Sequence, residues 1–333
     1  MKIFLGIDGG QTTTKSMLAD ETGRVLGTGA GGPAIHLKDE ETRQHARQAL
    51  YESIHAALRE AGLPDSTEIE SAFLGFTGVS GPETPPARTY CELTREQFRI
   101  KSVAIDHDAR SALAGAIPSM IGVIVIAGTG SIAFGMNASG ESARAGGWGY
   151  LLGDQGSAYE IGRQALIAVG EAADGIGPKT VLTSLILEAL KIPDTAAITQ
   201  AIYRDPVPKL RMAAMSAVVA QAAEAGDEVA RKIFLEGGKR LGGMACAVVR
   251  KLQIAEAQLS FSAAGGVFQA GELLWKPYRE LVLSQYPAAK VVPPEFPPLV
   301  GALILAFKGS SAPLSRNWMD RLTASYRGLN PSD

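Results

Sequence analysis

The spacing of apolar positions along the first third of the chain is that of an α/β protein. Residues 3–7 form a short apolar run of the buried-strand type that stops at Asp8, whereas residues 40–61 carry apolar side chains at the spacing of one helix face. Polar and glycine-rich turns separate such segments. The predicted strands cover residues 3–7, 12–19, 24–28, 71–76 and 102–105, and the predicted helices cover 40–61, a stretch that ends near 97, and 108–117.

The second part of the chain opens on a similar plan. Residues 122–127 are predicted as an apolar strand, Gly128, Thr129 and Gly130 as a turn, and residues 131–136 as the next strand. A repeat of this kind indicates two similar domains that each begin with a β-hairpin whose turn is rich in glycine and threonine. The alternative is that any α/β protein contains several strand–glycine–strand units, and the sequence leaves both open.

Most of the remaining chain is predicted to be helical. Asp227 has the side chain expected of a helix N-cap, and residues 259–263 form a strand that leads into Gly265 and Gly266. The polar residues after Gly309 are expected to form a loosely docked tail. The predicted helices in this part cover residues 159–169, 179–189, 208–225, 227–252 and 299–307.

Composition limits the class of protein without giving a function. A chain of 333 residues suggests two domains, and 46% apolar with 20% charged residues is ordinary for globular proteins. The formal net charge of -2 provides no general attraction to nucleic acid or to an anionic membrane. Cys91 and Cys246 form no metal or disulfide pattern, and the apolar N-terminal run is too short for a signal peptide. We therefore expect a cytoplasmic protein with no membrane span.

Three familiar motifs are excluded by their context. The segment 9–16 resembles a P-loop but has Thr14 in place of the second glycine. Two matches to the dinucleotide-binding glycine pattern, at residues 27–32 and 128–133, do not lead into a helix as that motif requires. No histidine follows His107, which excludes the Ser–Asp–His order of an α/β-hydrolase.

Two glycine-rich hairpin turns remain as candidate phosphate sites. The first covers residues 8–13 and the second covers 128–131, and both combine backbone N–H groups with Thr or Ser hydroxyls. Consecutive N–H groups in such turns bind anions, so two opposed turns could hold a polyphosphate between domains. Asp8 could hold Mg²⁺ directly or through water, since that ion prefers hard oxygen ligands. The alternative is that these glycine-rich turns are only turns.

Asp108 is the candidate catalytic carboxylate. It lies between a predicted strand and a predicted helix, where a carboxylate can orient a hydroxyl group and accept its proton during phosphoryl transfer. The alternative is a helix N-cap or a first-turn acid that complements the helix dipole, which is the commoner use of an aspartate at such a place.

The segment 145–157 is the most unusual part of the sequence. Its five glycines, two aromatic residues and one acid are poorly suited to a core element and are typical of a binding loop. In such a loop Trp148 would offer an apolar wall and Asp154 a charged acceptor to a polyhydroxy ligand.

These motifs together resemble those of a known family. The turn from Asp8 to Thr12 is similar to the first phosphate motif of the actin, sugar-kinase and heat-shock-chaperone ATPase superfamily. Within it the chain resembles the N-acetylglucosamine kinase branch, also called the BadF/BadG/BcrA/BcrD ATPase family. The block 146–157 is the most specific match. The matching blocks follow the family's order along almost the whole chain and cover residues 6–12, 107–109, 127–131, 146–157 and 264–268.

The resemblance implies an α/β fold with two similar actin-like (ribonuclease H-like) ATPase domains and a cleft between them. The N-terminal domain would cover residues 1–118 and the C-terminal domain 119–333 with a helical insertion, while the last helix, at about 299–309, is a candidate to return to the N-terminal domain. The resemblance also implies a cytoplasmic, homodimeric kinase that uses ATP and Mg²⁺ to phosphorylate the primary (6-) hydroxyl of an amino sugar such as N-acetylglucosamine or glucosamine.

The resemblance makes Asp108 the general base and gives binding roles to the other matching residues. Asp8 would hold Mg²⁺, directly or through water. The residues that would bind ATP are Asp8, Gly9, Gly10, Thr12, Thr13, Gly128, Thr129, Gly130, Gly265 and Gly266. The residues that would face the sugar are Thr129, Trp148, Gly149 and Asp154, with His36 as a further candidate.

The chain departs from the family at three positions. Family members often carry Asn after the third strand to bind a sugar hydroxyl, whereas this chain has Ile35 and His36, so that either His36 takes over the contact or the sugar differs. His107 replaces the usual Asn before the base. Gln155 replaces a frequent Glu, which removes a charge beside Asp154.

Two other functions compete with the kinase. An activating ATPase of a radical acyl-CoA dehydratase or reductase would bridge an iron–sulfur cluster through two cysteines per subunit, but Cys91 and Cys246 lie beside no nucleotide turn and resemble small buried hydrophobes. A sugar-sensing regulator would need a DNA-binding segment, for which the polar residues 310–333 are too short. The kinase is preferred, and the identity of the sugar stays open.

Overall fold

The computed structural model describes residues 1–10, 12–33, 37–204, 208–310 and 314–329. The chain divides into two compact units, one formed by Met1–Ser119 together with Pro294–Asp333 and the other by Met120–Pro293. The first unit therefore contains both ends of the chain. The sequence prediction joined 119–333 into one domain apart from a returning last helix, whereas here the whole stretch from Pro294 groups with the N-terminal residues.

The described residues contain ten strands, eleven α-helices and three short 3₁₀ helices. The strands are β1 (Ile3–Gly9), β2 (Thr14–Asp20), β3 (Val25–Gly31), β4 (Ile69–Phe76), β5 (Ile100–His107), β6 (Gly122–Ala127), β7 (Ser131–Met136), β8 (Ser142–Gly146), β9 (Ser260–Ala264) and β10 (Lys290–Val291). The helices are α1 (Glu40–Glu60), α2 (Pro85–Gln97), α3 (Asp108–Ala116), α4 (Ala158–Ala173), α5 (Leu182–Leu190), α6 (Ile198–Tyr203), α7 (Pro208–Glu224), α8 (Glu228–Leu252), α9 (Glu272–Gln285), α10 (Pro298–Gly309) and α11 (Arg316–Leu329).

Each unit is built on a five-stranded mixed sheet, and the two sheets have the same topology. The strand order is β3-β2-β1-β4-β5 in the first and, read in the same direction, β8-β7-β6-β9-β10 in the second. In both, the first three strands pair antiparallel and the last two pair parallel. The prediction of an α/β protein with two similar domains is confirmed. Strand β8, helix α9 and strand β10 were not predicted.

The first sheet is covered by helices on both faces, which explains why β1 reads as a continuous apolar run. Ile3, Leu5 and Ile7 pack into a core with α1 and α2, whereas Phe4 packs into a second core with α10 and α11. This division follows the alternation of side chains along a strand.

Helix α10 packs with its backbone directly against β1 and α3, and two glycines permit this approach. A Cβ atom added to Gly6 of β1 would overlap the backbone of Leu303 in α10. A Cβ atom added to Gly301 of α10 would overlap the carbonyl oxygen of Ser111 in α3. Since both neighbours are backbone atoms, a side chain at either position would separate these elements.

The core of the second unit is dominated by α8, which packs on β6, β7 and β8 and on α9. Its buried stripe includes Phe234, Leu241 and Val249. Asp227 is the N-cap, as predicted, and its Oδ1 accepts a hydrogen bond of 2.9 Å from the backbone N–H of Ala230.

The prediction of a loosely docked tail after Gly309 is wrong. Helix α11 buries Trp318, Leu322 and Tyr326 against α10 and the first sheet. The Trp318 ring stacks on Phe307 of α10 with 4.3 Å between ring centroids. These buried positions recur every four residues, which is a helical spacing that the many charged neighbours conceal.

None of the helices in the described ranges is long and apolar enough to cross a membrane.

We predict that Trp318→Ala destabilises the protein by about 3–5 kcal/mol, because it removes a fully packed indole ring from the core. The matched control is Trp148→Ala, since the side chain of Trp148 is 66% exposed and Trp318 is 3% exposed. Urea unfolding followed by circular dichroism measures both variants. Equal loss of stability in the two would contradict the docking of α11.

Candidate active site

The carboxyl ends of three parallel strands bring Asp8, Thr77 and Asp108 to one edge of the first sheet. The last residues of β1, β4 and β5 are paired with one another in register. Asp8 is the penultimate residue of β1, Thr77 follows β4, and Asp108 follows β5 as the first residue of α3. Ligands of open α/β sheets bind outside such carboxyl ends.

Asp8 is a carboxyl group whose charge is unfavourable in the folded protein. Burial raises its pKa to about 6, with a further contribution from the negative charge of Asp108. Lys15, which lies opposite Asp8 in β2, lowers the pKa and offsets part of this effect. A cation next to Asp8 would therefore be held favourably.

Asp108 is held in its ionised form by hydrogen bonds. Burial acts to raise the pKa of this carboxyl, but the contacts with His107, Thr77 and the Ala109 N–H outweigh it and keep the pKa below its usual value. Thr77 donates its hydroxyl to Oδ2 at 2.6 Å, and Nδ1 of His107 lies 2.6 Å from Oδ1. The carboxylate is thus available at neutral pH as a proton acceptor.

The helix-cap alternative for Asp108 is resolved only in part by the structure. The N-cap of α3 is His107, so Asp108 is not the cap. Asp108 does lie in the first turn of α3, where a negative charge complements the helix dipole.

The first hairpin turn presents its hydroxyl groups to solvent. The N–H of Gly10 donates to the carbonyl of Thr13 at 3.0 Å, and the carbonyl of Gly9 accepts from the N–H of Thr77 at 3.1 Å. Thr12 and Thr13 are exposed. Their side chains are free of core packing, as a ligand-binding turn requires.

The second hairpin turn is held in place by Asp154. The N–H of Gly128 donates to the carbonyl of Gly130 at 2.9 Å. Oδ1 of Asp154 accepts from the N–H of Ser131 at 3.1 Å, and the Asp154 side chain is buried at 3% exposure. Asp154 also has a φ of 60°, which an aspartate tolerates better than most residues. The sequence predicted this carboxylate as a ligand-facing group, and the structure shows it bonded to the turn.

Two exposed aromatic rings lie within the glycine-rich segment, each with a cation over its face. Trp148 is 66% exposed, and the guanidinium group of Arg144 lies 5.1 Å from its ring centroid. The ammonium group of Lys209 lies 5.3 Å from the Tyr150 ring and 3.8 Å from Oδ2 of Asp154. Cations at these distances interact with the ring quadrupole.

The remaining predicted residues lie where strands end or outside the described residues. Gly265 follows β9 with a φ of 105°, and Gly266 begins a 3₁₀ helix and has open space on its Cβ side. Gly149 also has open space there. His36 lies outside the residues that the structure describes.

One cavity in each unit is large enough for a small ligand. A groove of about 910 Å³ in the first unit is lined by Asp8 and Lys15 together with Arg59, and by Tyr326 of α11. A cavity of about 540 Å³ in the second unit lies along α4 and α8 and is lined in part by Gln155 and Gly156 of the glycine-rich segment. The groove in the first unit thus reaches Asp8, and the cavity in the second unit reaches the segment predicted to bind a ligand.

Asp8 fits a magnesium ion as one ligand among several. It offers the hard carboxylate oxygen that Mg²⁺ prefers, in surroundings where a positive charge is favourable. No group of three or more His, Cys, Asp or Glu side chains within the described residues could hold a metal by itself. Phosphate oxygens and water would have to complete the coordination.

The residues that sequence analysis missed are those that hold other residues in place. Thr77 bonds to Asp108, while Arg144 and Lys209 lie over aromatic rings. Thr77 could have been found, because it is a polar residue directly after a buried strand that ends at the same sheet edge as Asp8. The pairing of Lys209 with a segment more than fifty residues earlier has no local signal.

Chains similar to this one are found among amino-sugar kinases. The sequence profile described as the BadF/BadG/BcrA/BcrD ATPase family matches residues 5–306. An N-acetylmuramic acid/N-acetylglucosamine kinase from Clostridium acetobutylicum is 33% identical over 307 residues, which are 92% of this chain and 98% of that protein. An N-acetyl-D-glucosamine kinase from Dictyostelium discoideum is 31% identical over 318 residues, with shares of 92% and 98%.

The fold of this chain is also similar to that of solved structures. A Chromobacterium violaceum protein provisionally assigned as an N-acetylglucosamine kinase has a TM-score of 0.68 and 25% identity, and the match covers 92% of this chain and 99% of that one. A ROK family glucokinase from Streptomyces griseus shares the fold with a TM-score of 0.55 at 17% identity, over 92% of this chain and 100% of its own. The resemblance inferred from the motifs is confirmed.

We predict that Asp8→Asn stabilises the protein above pH 6 and not in acid. The folded-state pKa of about 6 exceeds the ordinary 3.8, so the folded protein binds this proton more tightly and loses stability as the pH rises from about 4 to about 6. An amide has no charge to bury, and the gain should reach about 1–3 kcal/mol at alkaline pH.

Melting temperatures at about pH 4.5 and about pH 8, without divalent ions, check this prediction. Asp320→Asn, at an exposed position of α11, is the control and should change little. A gain for Asp8→Asn that is equal at both pH values would contradict the raised pKa.

Proposed function

Since this chain belongs to the BadF/BadG/BcrA/BcrD ATPase family and is a sugar kinase, we propose that it transfers the γ-phosphoryl group of ATP to the 6-hydroxyl of an amino sugar. The observation that carries this proposal is the ionised carboxylate of Asp108, fixed at the same sheet edge as Asp8. A kinase needs little else than positioning, charge neutralisation and a carboxylate that accepts the hydroxyl proton.

Asp108 acts as the general base in this proposal. Its carboxylate orients the 6-hydroxyl of the sugar and takes its proton as the oxygen attacks the γ-phosphorus. The bond between the γ-phosphorus and the β–γ bridging oxygen breaks, and ADP leaves with that oxygen. Thr77 keeps the Oδ2 oxygen of this carboxylate in place through a hydrogen bond of 2.6 Å.

The two hairpin turns bind the phosphates of ATP. In the first turn the donors are the exposed hydroxyls of Thr12 and Thr13, while Gly9 and Gly10 bring no side chain into the space for the phosphates. The second turn is formed by Gly128, Thr129 and Gly130. The adenosine part of ATP is proposed to lie beside Gly265 and Gly266. Mg²⁺ held at Asp8 neutralises charge on the phosphates when it is bound.

The glycine-rich segment binds the sugar. Trp148 and Gly149 are exposed on it and offer an apolar surface beside open backbone, while Thr129 lies on the turn that Asp154 holds. We assign Asp154 to both tasks, with its second carboxylate oxygen, which is buried and paired with the ammonium group of Lys209 at 3.8 Å, as the acceptor for a sugar hydroxyl. The enzyme is proposed to work in the cytoplasm, where ATP is available, and as a homodimer.

The acceptor is proposed to be an amino sugar of the N-acetylglucosamine type. Relatives that align over 92% of this chain are named for N-acetylglucosamine, and one of them also for N-acetylmuramic acid. This chain has Ile35 and His36 where family members often carry a sugar-binding Asn. We therefore propose that its preference among these sugars differs from that of members with the Asn.

The two cysteines give no support to an activating ATPase. Cys246 is fully buried in α8, and burial raises the pKa of its thiol to about 11. Burial also raises the pKa of Cys91 in α2. Neither thiol is an accessible thiolate of the kind that binds an iron–sulfur cluster.

We predict that Asp108→Asn lowers sugar phosphorylation at least about 100-fold, within the range that general-base catalysis contributes, while ATP binding and the melting temperature stay close to wild type. A coupled assay of ADP release measures the rate with N-acetylglucosamine, N-acetylmuramic acid, N-acetylmannosamine, glucosamine, glucose or no sugar. Asp65→Asn, at an exposed position after α1, is the matched control.

Two outcomes of this assay would contradict the proposal. Retained phosphorylation in Asp108→Asn would exclude Asp108 as the general base. ADP release that no sugar stimulates would favour an ATPase that has no sugar acceptor.

We predict that Trp148→Ala raises the KM for the sugar about 10-fold and leaves the KM for ATP unchanged, because the ring offers apolar contact to the sugar alone. Steady-state kinetics with each substrate varied in turn check this. Tyr203→Ala, which removes an aromatic ring that is 83% exposed at the end of α6, is the control. A larger effect on ATP than on the sugar would exclude this role for the segment.

A further inference from the structure

His107 stands directly before the proposed base, where the family usually has Asn, and the proposed function gives it no role. It is the last residue of β5 and the N-cap of α3. The ring nitrogen Nδ1 lies 2.6 Å from Oδ1 of Asp108 and 3.0 Å from the backbone nitrogen of Ala109. A single ring nitrogen cannot donate to the first and accept from the second at once.

The shorter distance decides which hydrogen bond is made. Two lone pairs facing each other over 2.6 Å, one of them on a carboxylate, would repel, so a proton must lie between Nδ1 and Oδ1. The Ala109 N–H is then directed to the Asp108 carboxylate, where it also favours the ionised form. Nδ1 is therefore protonated and donates to Asp108.

The surroundings of His107 hold its backbone as well as its ring. The His107 N–H donates to Oδ1 of Asp106 at 2.7 Å. Oδ2 of Asp106 lies 3.1 Å from Nε of Arg110 in the first turn of α3, as an ion pair without the alignment of a hydrogen bond. The side chain of His107 is 25% exposed, so the ring is packed on most of its surface.

Together with Thr77, His107 holds both oxygens of the Asp108 carboxylate. The Thr77 hydroxyl donates to Oδ2 at 2.6 Å, on the side opposite the His107 contact at Oδ1. A carboxylate with one donor on each oxygen cannot rotate about its last bond without losing one of them. With the Ala109 N–H as a third donor, the carboxylate keeps one of its four lone pairs for a substrate hydroxyl.

We propose that His107 is a positioning residue for phosphoryl transfer, which holds the carboxylate of Asp108 in the orientation that accepts the substrate proton. This inference rests on the proposed function of Asp108 as the base.

The test must separate positioning from an effect on helix stability, because His107 occupies the N-cap position of α3. His107→Ser keeps a good N-cap but has a side chain too short to reach Oδ1, whereas His107→Asn keeps both a good cap and an N–H donor. His55→Ser is the matched control, since His55 pairs with Asp65 at 2.8 Å on the exposed surface of α1. For each variant, kcat, the KM values for ATP and for the best sugar of the panel, and the melting temperature are measured.

The expected result is a kcat for His107→Ser about 10- to 100-fold below wild type, as for a misplaced catalytic group, with the KM for ATP and the melting temperature unchanged. His107→Asn should recover most of the rate, and His55→Ser should match wild type. A wild-type kcat for His107→Ser would overturn the inference. So would a loss of rate in both His107 variants that follows a loss of melting temperature.

Failure of this inference is distinguishable from failure of the proposed function. If Asp108→Asn is inactive and His107→Ser is fully active, the base is correct and His107 does not position it. If Asp108→Asn is active, the proposed function itself fails.

Discussion

The close approach of α10 to β1 and α3 is the contact on which the geometry of the first unit depends. Gly6 and Gly301 allow backbone to lie on backbone, so the strand that ends at Asp8 and the helix that begins at Asp108 are both fixed against one helix. Backbone contacts of this kind cannot be relieved by a change of rotamer. How closely α10 packs therefore sets the separation of the two carboxyl groups, whose repulsion adds to the larger effect of burial in raising the pKa of Asp8.

Local pattern was enough to predict the parts of the site that lie where strands end. A buried strand that stops at an acid, as β1 does near Asp8 and β5 near Asp108, is visible in a few consecutive residues. The hairpin turns were found for the same reason, since glycine and threonine between two apolar runs mark a turn. The repeated topology could be inferred because the two halves open alike, and the two sheets confirm it.

The parts that could not be predicted depend on contacts between distant segments. The spacing of Trp318, Leu322 and Tyr326 indicates a helix with one buried face, but residues 316–329 alone do not show that this face packs on Phe307 and the first sheet. Asp154 was predicted to face a ligand because its glycine-rich loop is typical of exposed binding loops. In the structure its carboxylate accepts a hydrogen bond from the N–H of Ser131. Such contacts are tertiary, and the local sequence does not show which distant residue a side chain contacts.

The grouping of Pro294–Asp333 with Met1–Ser119 has a consequence for how the protein is made. A ribosome releases residues 120–293 as one continuous stretch that holds every strand of its own sheet, so this part can form its core while synthesis continues. Residues 1–119 emerge before this stretch, but one face of their sheet is covered only when α10 and α11 follow it from the ribosome. Until then Phe4, Met17 and Phe73 are exposed on the nascent chain, so residues translated before the second unit become fully packed only after it.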